Sequence, residues 1–146
     1  MAEPTAGHNK GFDLTGKKAL VTGAGRGIGK AVALGLARAG ADIGLVARTG
    51  SELNAVAGQV QEIGRRAVVA ASDLTVTADI AALVGGLAGQ LGGIDILVNN
   101  AGTNIPQDSV DVTEDAWDTI MAINLKSCFF MAQSVGKLMI EQGRGG

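Results

Sequence analysis

The sequence predicts an α/β fold in which a doubly wound parallel sheet lies between two layers of helices. Three observations carry that expectation. Four short apolar runs recur along the 146 residues, three of them with β-branched residues at their centres. Longer stretches with three- and four-residue apolar spacing separate them, the alternation expected of βαβ units. Between the first run and the first helical stretch, four glycines fall within seven residues, Gly23 to Gly29. Glycine costs backbone entropy, so that turn must need something that side chains forbid.

Taken in order, "KALVTG" (18–23) is the first strand, and a helix follows over 28–39. Ile28, Val32, Leu36 and Ala39 share one face of it, and Gly40 stops it. "DIGLVAR" (42–48), a helix over 51–63 and "RAVVAAS" (66–72) come next. A helix over 77–91 ends at Gly92–Gly93 and leads into "IDILVNN" (94–100). The fourth helix starts near "VTEDAW" and runs to about Glu141. Thr113 caps it, and Glu114 and Asp115 favour its positive end. Trp117, Ile120, Met121, Asn124, Cys128, Met131, Val135 and Leu138 form one apolar stripe along it, holding a single amide.

Right-handed crossovers give this order a Rossmann-type arrangement with the first strand near the middle. Ligands of such sheets bind at the topological switch point beside that strand. A fifth strand is expected where "GRGG" stands, so residues 12–146 read as the N-terminal part of such a domain, about four strands and four helices. Residues 1–11, "MAEPTAGHNKG", read as a short disordered tail without the apolar core of a signal peptide.

Composition narrows the function. A net charge of −2 argues against nucleic acid as the main partner. The one cysteine, Cys128, fits a reducing compartment, and no apolar run approaches the roughly 18 residues of a membrane span. A cytoplasmic protein is expected, with no metal site. There is no tyrosine, and the only histidine is His8 in the tail. Two common proton-transfer residues are therefore missing from the body of the chain.

The glycine cluster is the sharpest motif. A glycine turn between strand and helix lets backbone approach a phosphate, while the helix N-terminus offers free N–H groups. The frame G-x-G-x-x-G fails from Gly23, where Ile28 takes the third place, and from Gly25, where Lys30 does. The phosphate-loop pattern fails at Ala24 and Ala31. Thr-Gly-x-x-x-Gly-Ile-Gly fits at Thr22, Gly23, Gly27, Ile28 and Gly29. In that frame Gly23 permits the turn, Gly27 clears room for a pyrophosphate, Gly29 lets helix and strand approach, and Gly25 is merely tolerated. A tight βα turn that binds nothing is the plain alternative.

With "TGxxxGIG" at Thr22–Gly29, "NNAG" at Asn99–Gly102 and a matching Asn124, the chain resembles the short-chain dehydrogenases/reductases. The lead-in "FDLTGKKALVTG" and the run "TEDAWDTIMAINLKSCFFMAQ" are similar to the same family, over roughly residues 12–146. The resemblance implies a nicotinamide dinucleotide in the glycine turn. At the end of the second strand a carboxylate would accept from the adenosine ribose and repel a 2′-phosphate. Here Ala47 stands there, followed by Arg48, with Arg26 inside the turn and no acid to oppose them. Two guanidiniums suit a 2′-phosphate, so NADP is expected, with NAD the alternative.

The family pattern also implies that Asp73 contacts the adenine amino group while the backbone of Leu74 completes its pocket. Capping of the helix near Thr75 is an equal reading for Asp73. Asn100, Ala101 and Gly102 would lie along the cofactor ribose, with Asn99 tying neighbouring strands together. Asn124 is either a satisfied core asparagine or, as the resemblance implies, the holder of a water linking a catalytic lysine to solvent. Cys128 reads as packing.

In the family a Tyr acts as acid and base, a Lys assists it and a Ser orients substrate oxygen. The Ser and the "YxxxK" motif lie past the last residue here, and neither Lys126 nor Lys137 belongs to that motif. These residues are therefore expected to form the cofactor-binding part of an oxidoreductase acting on an alcohol or ketone, inactive alone. The alternative is a non-catalytic module that binds a nucleotide or a partner. "NNAGTNIPQDSVDVTEDAWDTI" is most similar to sugar-acid (gluconate-type) dehydrogenases, with β-ketoacyl reductases next. Relatives assemble as dimers or tetramers, and Phe129, Phe130 and Ile140 are compatible with such a contact.

Overall fold

The computed structural model describes residues 12–145, so the predicted tail and His8 lie outside the described residues. Strands β1 (Lys18–Thr22), β2 (Asp42–Ala47), β3 (Ala67–Ala71) and β4 (Ile96–Val98) form one sheet in the order β3-β2-β1-β4. Every pairing is parallel. The chain reverses its winding between β1 and β4, which puts the switch point at their carboxyl ends.

Alternation along the strands explains the two faces. Ala19, Val21, Ile43 and Leu45 pack against helices α1 (Gly27–Arg38) and α2 (Gly50–Glu62). Leu20 and Val46 point the other way, onto α3 (Ile80–Leu91) and α5 (Ser127–Gln142). Both faces are dry, so the strands read as near-continuous apolar runs.

Two helices depart from the expected pattern. In α1 the buried face is Gly29, Ala33, Leu34 and Ala37, whereas the predicted Ile28 is 77% exposed. Close approach of α1 to the sheet selects small residues at Gly29, Ala33 and Ala37, while Leu34 is buried beside them and Leu36 packs at the edge of the cluster. The single helix expected over 114–141 is broken into α4 (Glu114–Met121), a π segment at Ala122–Lys126, and α5. A π turn takes up extra residues and rotates the downstream face, so the predicted stripe divides. Trp117 is 59% exposed and Asn124 is exposed, while Ser127, Met131 and Val135 are buried. Phe129 and Ile140 stay exposed, but Phe130 packs onto the inner cluster. Thr113 caps α4 as expected, its side chain accepting from the Ala116 N–H at 3.2 Å.

Side-chain bonds tie the ends of α5 to β4 and its flanking loops. Asn99 Nδ2 donates to the Cys128 carbonyl at 3.2 Å. At the far end, Gln142 accepts from the Ile94 N–H at 3.0 Å and donates back to its carbonyl at 2.9 Å. Arg144 lies 3.3 Å from buried Asp95, which accepts the Lys18 N–H at 2.9 Å. At the start of β2, Asp42 accepts from Arg65 at 2.7 Å and from the Arg66 N–H at 3.1 Å. Burial pushes the Asp42 carboxyl up, but those two donors and the nearby Lys18 charge outweigh it and hold it below the usual range.

Candidate functional site

The turn between β1 and α1 opens a cleft of about 810 Å³ at the carboxyl ends of the strands. Gly23 (φ +63°) and Gly27 (φ +54°) take left-handed conformations there. A Cβ on Gly29 would strike the Gly23 carbonyl oxygen, so only glycine lets the helix start this close to the strand. No side chain caps α1, whose N-cap Arg26 is extended, so its first-turn N–H groups are free to meet an anion. Gly25 departs from expectation. It is buried, and a Cβ on it would stand 2.9 Å from Glu52 Oε2 and 3.1 Å from Glu52 Cβ.

Thr22 organises the floor. Its buried hydroxyl accepts the N–H groups of Asn100 and Ala101, each at 3.0 Å, and donates to the Val98 carbonyl at 3.4 Å. Asn100 Nδ2 in turn donates to the carbonyls of Thr22 and Gly23 at 3.1 and 3.2 Å. Asn100, rather than Asn99, is therefore the amide that ties the two strand ends; Asn99 reaches α5 instead. Both asparagines sit in one motif, and spacing alone could not tell which faced β1.

The end of the cleft beside β2 and β3 holds further predicted residues. Arg26 and Arg48 are exposed and line the cleft, as do Asp73 and the buried Leu74. Asp73 Oδ1 accepts from the Thr75 hydroxyl at 2.7 Å and its N–H at 3.0 Å. Those bonds, helped by the Arg48 charge against some desolvation, hold its carboxyl below the usual range. Asp73 thus fixes the turn before α3 rather than the helix itself, which begins later at Ile80. Asp73 is also an acid that feels an arginine, and a second acid lines the cleft: Glu52, partly buried in the first turn of α2. Its place four residues beyond Arg48, just inside a helix, was the available signal.

At the opposite wall, Gly102 and Thr103 meet the π segment. Asn124 Oδ1 accepts the Thr103 N–H at 2.7 Å, and its Nδ2 donates to the Thr103 carbonyl at 2.9 Å. This exposed amide is paired with backbone, not sunk in a core, and each atom keeps one further hydrogen-bonding position. Thr103 had no signal in the sequence. Ten predicted residues, Gly23, Gly25, Arg26, Ile28, Arg48, Asp73, Leu74, Asn100, Ala101 and Gly102, line one cleft. Thr22 and Gly29 are buried under the turn, whereas Gly27 is exposed in it.

The family model described as short chain dehydrogenase matches residues 17–146. A 2-dehydro-3-deoxy-D-gluconate 5-dehydrogenase of Dickeya dadantii (strain 3937) is 42% identical over 135 residues, 92% of this chain and 53% of that protein. A metagenomic short-chain oxidoreductase solved in complex with NADP superposes with a TM-score of 0.84 at 37% identity, covering 90% of this chain and 60% of the other. A xylitol dehydrogenase solved with NAD+ bound gives 0.87 at 33% identity, over 90% and 51%. The chain spans about half the length of the curated relatives it matches.

Proposed function

Because the chain belongs to the short-chain dehydrogenase family, we propose that it is the cofactor-binding part of an NADP-dependent oxidoreductase acting on an alcohol or ketone. One observation carries this reading: the uncapped N-terminus of α1 opens, across glycines with positive φ, into a dinucleotide-sized cleft at the switch point. The nicotinamide, when bound, gives or takes the hydride.

The chain's own residues hold and orient. The first-turn N–H groups of α1 take the pyrophosphate across Gly23, Gly25 and Gly27. Arg26 and Arg48 take a 2′-phosphate, with NAD as the alternative cofactor. Asp73 and the backbone of Leu74 take the adenine; one oxygen of Asp73 is occupied by Thr75, which leaves the other for an amino group. Asn100, Ala101 and Gly102 border the ribose. Asn124 fixes Thr103 at the nicotinamide end and, being exposed, keeps positions for a water.

A sugar acid is the substrate class we favour, supported by the gluconate-type name of a relative. We place the whole protein in the cytoplasm as a homo-oligomer, meeting its copy through exposed Phe129 and Ile140. Among the described residues no helix is long and apolar enough to cross a membrane. With no tyrosine in 146 residues, these alone are expected to turn over no ketone. That same absence is what favours the second reading, a nucleotide-binding module without catalysis.

Titration of the purified chain tests the proposal. Saturable binding is expected, tighter for NADPH than for NADH, with Arg48→Ala weakening NADPH about tenfold and NADH little. Failure to bind either nucleotide would overturn it, and tighter binding of NADH would overturn the NADP assignment.

A further inference from the structure

The geometry points to Ser127 as a positioning residue: it holds the π turn in the cleft wall and, through it, the aim of Asn124 at Thr103. The inference rests on the dinucleotide reading above. Ser127 donates twice. Its backbone N–H goes five residues back, to the Ala122 carbonyl, as the π spacing requires. Its hydroxyl goes four residues back, to the Ile123 carbonyl at 2.6 Å. The second bond takes the carbonyl that an α turn would give to the Ser127 N–H.

A π turn holds one residue more than an α turn, so one carbonyl is passed over where the four-residue ladder resumes in α5. A carbonyl shut away from water needs a donor. Ser127 is 1% exposed, too deep for bulk water to take its place. The buried residues of α5 are Ser127, Met131 and Val135, and only Ser127 is polar. Packing alone does not call for a hydroxyl there; an alanine would fill nearly the same space.

The turn so held carries two residues that reach the cleft. Ile123 lines it and leans on the inner apolar cluster. Asn124, next in the chain, grips the Thr103 N–H at 2.7 Å and the Thr103 carbonyl at 2.9 Å. In a continuous α-helix Asn124 would stand seven residues before Met131, on the face that Met131 buries. The π turn breaks that register, and the amide meets the loop after β4 instead. Ser127 does not line the cleft, so its influence there passes through Asn124.

Amide hydrogen exchange followed by NMR on the 146-residue chain is the test, with Ser127→Ala, Asn124→Ala and the double variant beside wild type. Ser127→Ala is expected to speed exchange of the Thr103 amide about tenfold and to leave the Ala101 amide, held by Thr22, within about twofold. Added to Asn124→Ala, it should speed Thr103 no further. Dissociation constants give a second readout. Ser127→Ala should weaken NADPH about fivefold and leave 2′,5′-ADP, which lacks the nicotinamide half, within about twofold. If the wild type prefers NADH, the pair is NADH and 5′-AMP. Unchanged exchange at Thr103, equal speeding at Thr103 and Ala101, a further gain in the double variant, or equal loss of both ligands would each overturn the inference. Wild-type chain that binds no nucleotide, with Thr103 responding as expected, would overturn the dinucleotide reading and leave the hold of Ser127 on the turn standing.

Discussion

Replacing Thr22 by valine keeps the shape of the side chain and removes its hydroxyl. The structure sets the cost. Two backbone N–H groups, of Asn100 and Ala101, lose the acceptor they reach at 3.0 Å. Each donor stranded away from water is worth about 1–3 kcal/mol, and both are only part-buried, so the lower end applies. The long 3.4 Å bond to the Val98 carbonyl adds little. Thr22→Val should therefore lose about 2–3 kcal/mol in urea unfolding at unchanged m-value. Thr22→Ser, which keeps the oxygen and deletes a buried methyl, should lose only about 1 kcal/mol. A valine variant as stable as the serine variant would refute the assignment of Thr22 as the clasp between β1 and β4.

Three further outcomes are expected. Gly29→Ala drives a Cβ into the Gly23 carbonyl and to 2.5 Å from Asn100 Nδ2; a loss of about 3 kcal/mol or more in thermal unfolding is expected. Gly35→Ala, in the same helix with nothing within 4 Å of the new atom, should instead be neutral or gain up to about 1 kcal/mol. Asp42 gives a pH dependence. Its folded pKa is depressed, so the stability it contributes is present above its unfolded value near 4 and is lost as pH falls through the folded one. Arg65→Met removes one cause of the depression, so its stability should fall less steeply below about pH 4 than wild type. Parallel curves for the two proteins would show that the pair does not titrate as described.

The strands were legible because both faces of the sheet are dry, which leaves Ala19–Thr22 and Ile43–Val46 with no polar alternation to confuse. The glycine turn was legible because Gly23 and Gly29 satisfy demands local to the backbone. What stayed hidden depends on neighbours distant in sequence. The buried face of α1 is chosen by the approach of Gly29 to Gly23, which helical periodicity does not encode. Gly25 looked dispensable because its partner, Glu52, stands in another element. The π segment spoils a stripe that obeys three- and four-residue spacing right through Asn124. That amide was singled out as a polar residue among apolar ones, yet its partner Thr103 lies in a loop with no pattern of its own.

Asn99 and Gln142 hold α5 near both ends, whereas α4 buries only Ala116. The cleft is consequently lopsided in stiffness. The glycine turn and the floor beneath it belong to a bolted frame, while the wall carrying Asp118 and Thr119 leans on a helix with little to anchor it. Hydrogen exchange should register the difference, with slow amides along α5 and fast ones along α4. A cleft of this build adjusts its width from one side only, with its compliance gathered between Glu114 and the π segment.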